Sequence, residues 1–584
     1  MKKTIIQALT LFLLFFLLGP YALTLKKEAG PSQQKKEEIP KPAYEVEVVV
    51  TNVDVVVTDK KGNRITGLKP ENFEIYEDGY LQKMTNFFEV KGMEVYTAIY
   101  DEKEKELRLP PEPLPEKSPQ FRNKIIFYFD NWHLHPLNRN WSIKKLESFI
   151  RNNFSSEESG NQGMVVCLGQ KLEVIQDFTS IQGQLLRAIE EVKRYSGESL
   201  LRSRNKEDLR KELNRIVADT SYGDREKRFA SYENALSLAR NYVEAEQNDL
   251  LYSLKSIHAF LDYLIGIEGK KILIYISDGL PINPSEEVFS FLDQAFQRES
   301  TRIETLTYDS ARQFKELTAR CNGNEISLYP INAQGLESMI LSADKEAGWD
   351  IYSRGSGMVK SGSRTKNEAL QLMARDTGGL AILNTNDIES GLEKIEGDIQ
   401  YYYSLGYVSP HREDGAYHPI EVKLVEVEEK YDVRLRHGYM RISQEEKIKE
   451  SVTSRLFLMR PYNPMNITVH ILPVKPMPAT KKLCLALKIL VPIKNITLFH
   501  REKDYIGEIK VYLALMDSEG RLSPGHELTE QIKIPVEDYE MAMKSNYPYI
   551  AEMYVDPGHY LISLAVKDVP AAVVNYLQLE KTIQ

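Results

Sequence analysis

Hydrophobic positions change their period several times along the chain, and each change marks a different kind of element. From residue 44 the sequence YEVEVVVTNVDVVVT places Val46, Val48 and Val50, then Val53, Val55 and Val57, at alternate positions on either side of a register offset. A period of two predicts strands with one buried face, and the offset predicts a bulge. Turn signals at Lys61-Gly62-Asn63 and Asp78-Gly79 extend the pattern to a small β unit over residues 44–100. Residues 101–120 then carry five prolines among charges, a composition that favours an extended linker over a packed core.

Beyond the linker, period two gives way to continuous apolar runs separated by helical spacing. Residues 125–129 and 271–277 (KILIYIS) are uninterrupted runs, as strands buried on both faces read. Residues 137–150 and 181–192 repeat at helical spacing, with Leu185, Ile189 and Val192 on one face. Residues 163–168 and 172–175 form a hairpin-like pair, 326–331 and 380–383 read as strands, and 367–375 as a helix. This alternation predicts a mostly parallel sheet flanked by helices over residues 121–440, with strands at 401–407, 417–426 and 431–437 finishing that sheet. Residues 200–266 interrupt it. Leu209, Leu213, Ile216 and Val217 share one helical face, as do Phe229, Tyr232, Leu236, Ala239 and Val243, which predicts two antiparallel helices with a solvated charged face. Residues 251–264 continue as a helix into the KILIYIS strand, and the Ser/Gly-rich stretch 354–363 reads as a mobile loop. From residue 451 short alternating runs and frequent turns return, predicting an immunoglobulin-like β-sandwich over 451–584.

Composition narrows the class. The 584 residues exceed what one core usually holds, and 42% apolar with 27% charged residues is ordinary for folded domains. Lys+Arg 75 against Asp+Glu 84 leaves −9, so no whole-protein attraction to phosphate backbones exists and nucleic acid is not an expected partner. Cys167, Cys321 and Cys484 form neither a disulfide framework nor a zinc spacing. At the N-terminus, Lys2-Lys3, an apolar run over residues 5–18 and Gly19-Pro20 have the architecture of an export signal. Residues 1–25 are either a cleaved signal peptide or a retained membrane anchor, with 26–43 as a tether. Either way the bulk of the chain is expected outside the cytoplasm: periplasmic, secreted or anchored.

The strand ending in Asp130, the hairpin, KILIYISDG and NEALQLMARDTGGLAILNTNDIESGLEKI, in that order, resemble a von Willebrand factor A (VWFA) domain. With GLKPENFEIYEDGYLQKMTNF before it and IQYYYSLGYVSP, YHPIEVKL and YDVRLRHGYM after it, the arrangement is similar to the VWFA-related family of exported bacterial proteins over roughly residues 44–440. The resemblance implies an α/β doubly wound central domain that meets partners at the carboxyl ends of its strands. A VWFA cation site resembles Asp-x-Ser-x-Ser with a Thr and a second Asp, because a hard dication takes hydroxyl, carboxylate and water oxygens. The matching stretch is Asp130-Asn131-Trp132-His133-Leu134, so Trp132 and Leu134 stand at the hydroxyl positions. Asp278 matches the second carboxylate, nothing matches the Thr, and Asn332 stands where family members tend to have Asp.

Asp130 and Asp278 are therefore the candidate metal ligands of a degenerate site, expected to accept hydrogen bonds from loop amides. His133 and His135 beside Asp130 raise the separate prospect of a softer metal. No HExxH, GxSxG or P-loop occurs, so neither an enzyme nor a cofactor is expected. The resulting expectation is a non-enzymatic extracytoplasmic protein that binds or scaffolds protein partners in the envelope or extracellular space. The alternative is a metal-dependent adhesion or regulatory protein holding a divalent cation at Asp130 and Asp278.

Overall fold

The computed structural model describes residues 50–583, except 93, 98, 102–105, 109–122, 155–159, 221–224, 265–266, 268–269, 298–300, 336–358, 412–414, 428, 441–442, 457–461, 477–481, 519–520 and 524. The expectations for 1–25 and 26–43, and most of the linker 101–120, lie outside the described residues. Among the described residues no helix is long and apolar enough to cross a membrane.

The chain opens with strands β1 (Val50–Thr58), β2 (Phe73–Glu77), β3 (Tyr80–Gln82), β4 (Met84–Lys91) and β5 (Glu94–Thr97) and a short hairpin, β6 (Ile99–Asp101) with β7 (Glu106–Arg108). The central domain follows as β8 (Asn123–Asp130), α1 (Pro136–Asn153), β9 (Gln162–Leu168), β10 (Leu172–Thr179), α2 (Gln182–Glu191), α3 (Ser199–Thr220), α4 (Arg225–Tyr263) and β11 (Lys270–Ser277). It continues through α5 (Glu286–Phe296), α6 (Arg302–Thr307), α7 (Ala311–Gly323), β12 (Ile326–Asn332), α8 (Val359–Asp376) and α9 (Ile388–Gln400). Its sheet runs β10-β9-β8-β11-β12, with β9, β8, β11 and β12 mutually parallel and β10 antiparallel at one edge.

Continuous apolar runs are needed because both faces of this sheet are covered. Ile125, Phe127 and Phe129 pack with Ile272, Ile274 and Ile276 under α1, α2 and α9. Ile126 and Tyr128 pack with Leu273 and Tyr275 on the opposite face, under α4, α7 and α8. Each such side chain contributes roughly 1.5–3 kcal/mol of burial, so a polar residue anywhere in these runs would be costly.

Helices α3 and α4 form the expected pair, and the helix expected over 251–264 is the continuation of α4, which runs unbroken for 39 residues. Leu213, Ile216 and Val217 of α3 meet Tyr232, Leu236 and Val243 of α4 and also Val288, Phe289 and Leu292 of α5. The pair therefore packs on its own domain. Phe229, expected on the buried face, is exposed. Two further expectations need correction. Of the stretch 354–363, residues 359–363 open α8 rather than forming a loop and 354–358 lie outside the described residues, and 380–383 form only a single parallel bridge, Ile382 to Ile331.

The larger correction concerns the strands after the central domain, β13 (Tyr401–Val408), β14 (Tyr417–Leu424), β15 (Asp432–Arg434) and β16 (Gly438–Met440). They do not finish the parallel sheet. β13 lies between β1 and β4, and β14 between β2 and β16, giving two sheets ordered β15-β1-β13-β4-β5 and β16-β14-β2-β3. Val53, Val55, Phe73, Ile75 and Phe87 from before the central domain share a core with Tyr403, Leu405, Tyr407, Ile420 and Val422 from after it. Strands β1 to β5 are thus half of a β unit, and the central domain is inserted into it. Alternation marks which face of a strand is buried but not which strand lies beside it, so the sequence pattern was silent on this pairing.

A buried carboxylate holds the insertion in place. Asp398, near the end of α9 and fully buried, accepts two bonds from Arg434, at 2.7 and 2.8 Å, and one from Arg64 in the β1–β2 connection. At the far end, α10 (Gln444–Ser454) leads into β17 (Thr468–Ile471), β18 (Lys475–Pro476), β19 (Leu483–Pro492), β20 (Phe499–Arg501), β21 (Asp504–Asp517), β22 (His526–Pro535), β23 (Asn546–Val555), β24 (Gly558–Asp568) and β25 (Val573–Ile583). One sheet is built on β19 and the other on β21 and β24, with Leu485, Leu487, Val511, Leu513 and Leu564 between them. Ile448 and Val452 of α10 cover the outer face of β21, where Tyr512 and Ala514 point. Asp262 of α4, bonded to Arg320 of α7 and Ser454 of α10, ties this sandwich to the central domain.

Replacing Asp398 by Asn leaves two guanidinium groups facing a neutral amide, and equilibrium urea unfolding is expected to show a loss of about 3–5 kcal/mol. A second prediction concerns pH. Burial, with Arg320 nearby, draws the His258 imidazole down from 6.5 to about 4, so folding favours its neutral form. Its contribution is complete above about 6.5 and is lost as pH falls towards 4, roughly 3 kcal/mol in all. Asp262 acts in the opposite sense, since burial raises it to about 6 and its share is lost as pH rises through that value. The difference between the stability–pH curves of the parent and His258→Gln isolates the histidine, and is expected to open between pH 6.5 and 4.

Candidate functional site

Parallel pairing of β8 with β11, Phe129 opposite Ile276, brings Asp130 and Asp278 to the same end of the sheet, at the carboxyl ends of its strands. Asp130 is fully buried. One of its oxygens, Oδ2, faces the Nδ1 of His133 at 3.0 Å and accepts the Tyr275 hydroxyl at 2.5 Å, while Oδ1 accepts the His133 amide at 3.3 Å. Ser253, delivered by α4, stands 2.9 Å from the same Nδ1. Asp278 accepts the His135 amide at 2.8 Å and the Asn138 side-chain amide at 2.9 Å. Both carboxylates are therefore engaged within the protein, Asp278 by the segment that follows β8, and the two candidate ligands share one end of the sheet but are turned to different partners.

The stretch after Asp130 is packed rather than open. Leu134 is buried in the core beneath α1, and the Trp132 ring lies 4.7 Å from that of Tyr252 on α4. Asn131 donates to the carbonyls of Val192 and Tyr195, and a Cβ at Gly197 would lie 1.9 Å from the Asn131 carbonyl oxygen. Only glycine allows this approach, and it closes the loop over the strand end. His133 and His135 do not converge, because the His135 ring accepts the Leu137 amide at the start of α1. Asn332 is likewise spent, donating to Asn367 at 2.7 Å and accepting the Gln334 amide.

The electrostatics follow from burial. Burial pushes the Asp130 carboxyl up, but His133 and the Tyr275 hydroxyl outweigh it and hold the group below its ordinary range. Burial draws His133 down, favouring neutral imidazole, and pushes the Tyr275 phenol up. Asp278 is raised by burial against the bonds from His135 and Asn138. Asp130, His133 and Ser253 include the residue types of a hydrolytic triad, yet both partners face one imidazole nitrogen and the group has no exposed nucleophile, so no proton relay results.

No family model matches the chain, and no curated protein matches it. Solved structures that it resembles include an aerotolerance-related membrane protein from Bacteroides fragilis NCTC 9343, at 9% identity and TM-score 0.23 over 47% of this chain and 98% of that one. A conserved hypothetical protein, BatB, from Bacteroides thetaiotaomicron matches at 9% identity and TM-score 0.21 over 47% and 98%. The PilB minor pilin from Streptococcus sanguinis matches at 10% identity and TM-score 0.25 over 55% and 88%. At such scores these likenesses carry no argument about fold or role.

Sequence reasoning missed Ser253 and Tyr275, the groups that complete the Asp130 network. Each sits in an apolar run whose spacing reports only burial. It also missed a cluster in the β unit, where Glu77 and Asp78 meet His411 and His418 across more than 300 residues of chain. Asp78 had a visible turn signal, but no local pattern joins it to the histidines.

Removing the Asp130 carboxylate strands a phenol and an imidazole in the interior. Asp130→Ala is expected to cost about 2–3 kcal/mol in denaturant unfolding, and Asp278→Asn, which keeps one acceptor oxygen, clearly less.

Proposed function

We propose that this is a non-enzymatic extracytoplasmic protein that binds or scaffolds protein partners through a VWFA-type central domain whose cation site has become a buried hydrogen-bond network. The observation that carries the reading is the engagement of Asp130 by His133 and Tyr275 and of Asp278 by His135 and Asn138, with Trp132 and Leu134 packed where hydroxyl ligands would be needed. Its placement outside the cytoplasm rests on the export-signal pattern of residues 1–25. Exposed apolar side chains flank the closed strand ends and suit a protein partner. Leu137 is 72% exposed just after the loop that holds Asp278, and Leu200 and Leu201 are 58% and 53% exposed just after Gly197. Isolated exposed leucines are common, but three around these strand ends supply the apolar centre that a protein contact needs.

The test is crosslinking of the full chain in envelope fractions, with and without chelator. Capture of a reproducible partner is expected to survive chelation and to be lost in Leu137→Glu/Leu201→Glu. Capture abolished by chelator and restored by magnesium would instead favour a metal-dependent adhesion or regulatory protein.

A further inference from the structure

The β unit contains a second convergence of charged and imidazole groups, well separated in sequence from the central domain's strand ends. β2 ends at Glu77, and Asp78 opens the turn to β3 with φ 52°, a left-handed conformation that Asp adopts more readily than most residues. His411 lies in the connection after β13, and His418 is the second residue of β14. Antiparallel pairing of β14 with β2, Ile420 opposite Glu77, brings the two ends together, and the Asp78 amide donates to the Pro419 carbonyl at 3.0 Å.

Four side chains then face one point. Asp78 Oδ2 is 2.8 Å from His411 Nε2 and 2.9 Å from His418 Nδ1, and Glu77 Oε1 is 3.9 Å from His411 Nε2. One donor atom from each of the four lies within 4.8 Å of the others. The two imidazole rings stack with centroids 4.0 Å apart, which keeps both on the same side of the turn.

Glu77 supplies the independent observation. Its side chain is completely buried, and Oε1 accepts the Ser409 hydroxyl and the Tyr439 hydroxyl, each at 2.8 Å. Its other oxygen, Oε2, is buried without a hydrogen bond of ordinary geometry, and the Tyr407 hydroxyl, which interacts with this carboxylate, makes none either. A buried carboxylate with one oxygen lacking a well-formed hydrogen bond costs free energy that a cation would recover. Ser409 and Tyr439 meanwhile orient the carboxylate, as groups behind a metal ligand do.

We propose that Glu77, Asp78, His411 and His418 bind one zinc-class dication. Two imidazole nitrogens and two carboxylate oxygens make a four-ligand set suited to zinc, whereas magnesium and calcium take oxygen alone. Ligation asks the imidazoles to give up their bonds to Asp78 and the rings to turn so that both lone pairs converge. His411 and Asp78 are 35% and 29% exposed at their side chains, so a cation enters from their side, while Glu77 and the nearly buried His418 close the back. The ion joins the turn after β2 to the segment after β13, fastening together the two halves of the β unit that the central domain separates in sequence. The site shares no residue with the strand ends of the central domain, so it stands or falls independently of the partner-binding reading.

The full chain, stripped with chelator and dialysed, is titrated with zinc chloride by calorimetry. The thermal midpoint is followed in parallel, and cobalt(II) uptake is read from its visible absorption. One equivalent of zinc is expected to bind and raise the midpoint with concentration, cobalt to give the bands of a four-coordinate nitrogen–oxygen site, and magnesium or calcium to do neither. His411→Gln, at a part-exposed position, is expected to melt like the metal-free parent and to bind zinc at least about tenfold more weakly, with Asp78→Asn as the second variant. The proposal is overturned if the parent takes up no zinc, if both variants bind it as the parent does, or if magnesium raises the midpoint and zinc does not.

Discussion

The Asp398 carboxylate, buried between Arg434 and Arg64, is the contact on which the arrangement of the chain depends. It sits near the C-terminal end of α9, and Tyr401, the first residue after that helix, begins the strand at the middle of a β-unit sheet. The helix covers one face of the parallel sheet through Leu392, Ile395 and Ile399, while Asp398 reaches the two arginines of the β unit. The inserted domain is thereby fixed to its host where the chain passes from one to the other. Lys270 reinforces the junction from β11, pairing with Asp54 at 3.2 Å and lying 3.4 Å from the centre of the Tyr402 ring.

Similar residue types give opposite outcomes at two places in this fold. At Asp130, carboxylate, imidazole and hydroxyls are enclosed by α4 and by the loop that Gly197 allows to close, so the carboxylate is consumed internally. At Glu77 and Asp78, the carboxylates lie at a hairpin turn beside two histidines, one side faces solvent, and a buried oxygen lacks a well-formed hydrogen bond. What a cluster can bind follows from access and from unanswered lone pairs more than from the list of its residues.

The strands and helices of the central domain were legible because burial on two faces writes continuous apolar runs, and KILIYIS at 271–277 coincides with β11 but for its first residue. Helical pairing in residues 200–266 was legible from Leu213, Ile216 and Tyr232, Leu236. Less local features were not. The true partner of YYYSLGY lies more than 300 residues earlier, at β1 and β4, and period two carries no information about partners. Of the candidate site, Asp130 and Asp278 were named and their shared end of the sheet follows from adjacent parallel strands. The amide bonds from His133 and His135 match what was expected of them, but Ser253 was not foreseeable, because it arrives on a helix whose polar position looks like any small residue in an apolar stripe.

By itself the sequence determined which segments alternate and which run on, where chain direction must turn, that the hydroxyl positions after Asp130 hold Trp132 and Leu134, and that net charge offers nothing to nucleic acid. These are properties of residue type and short-range spacing. Tertiary structure alone decided that the β unit is split around the central domain, that Asp398 joins them, and that Glu77, Asp78, His411 and His418 meet. Each of those depends on contacts between residues far apart in the chain, and their free energy is set by what is brought together and shielded from water.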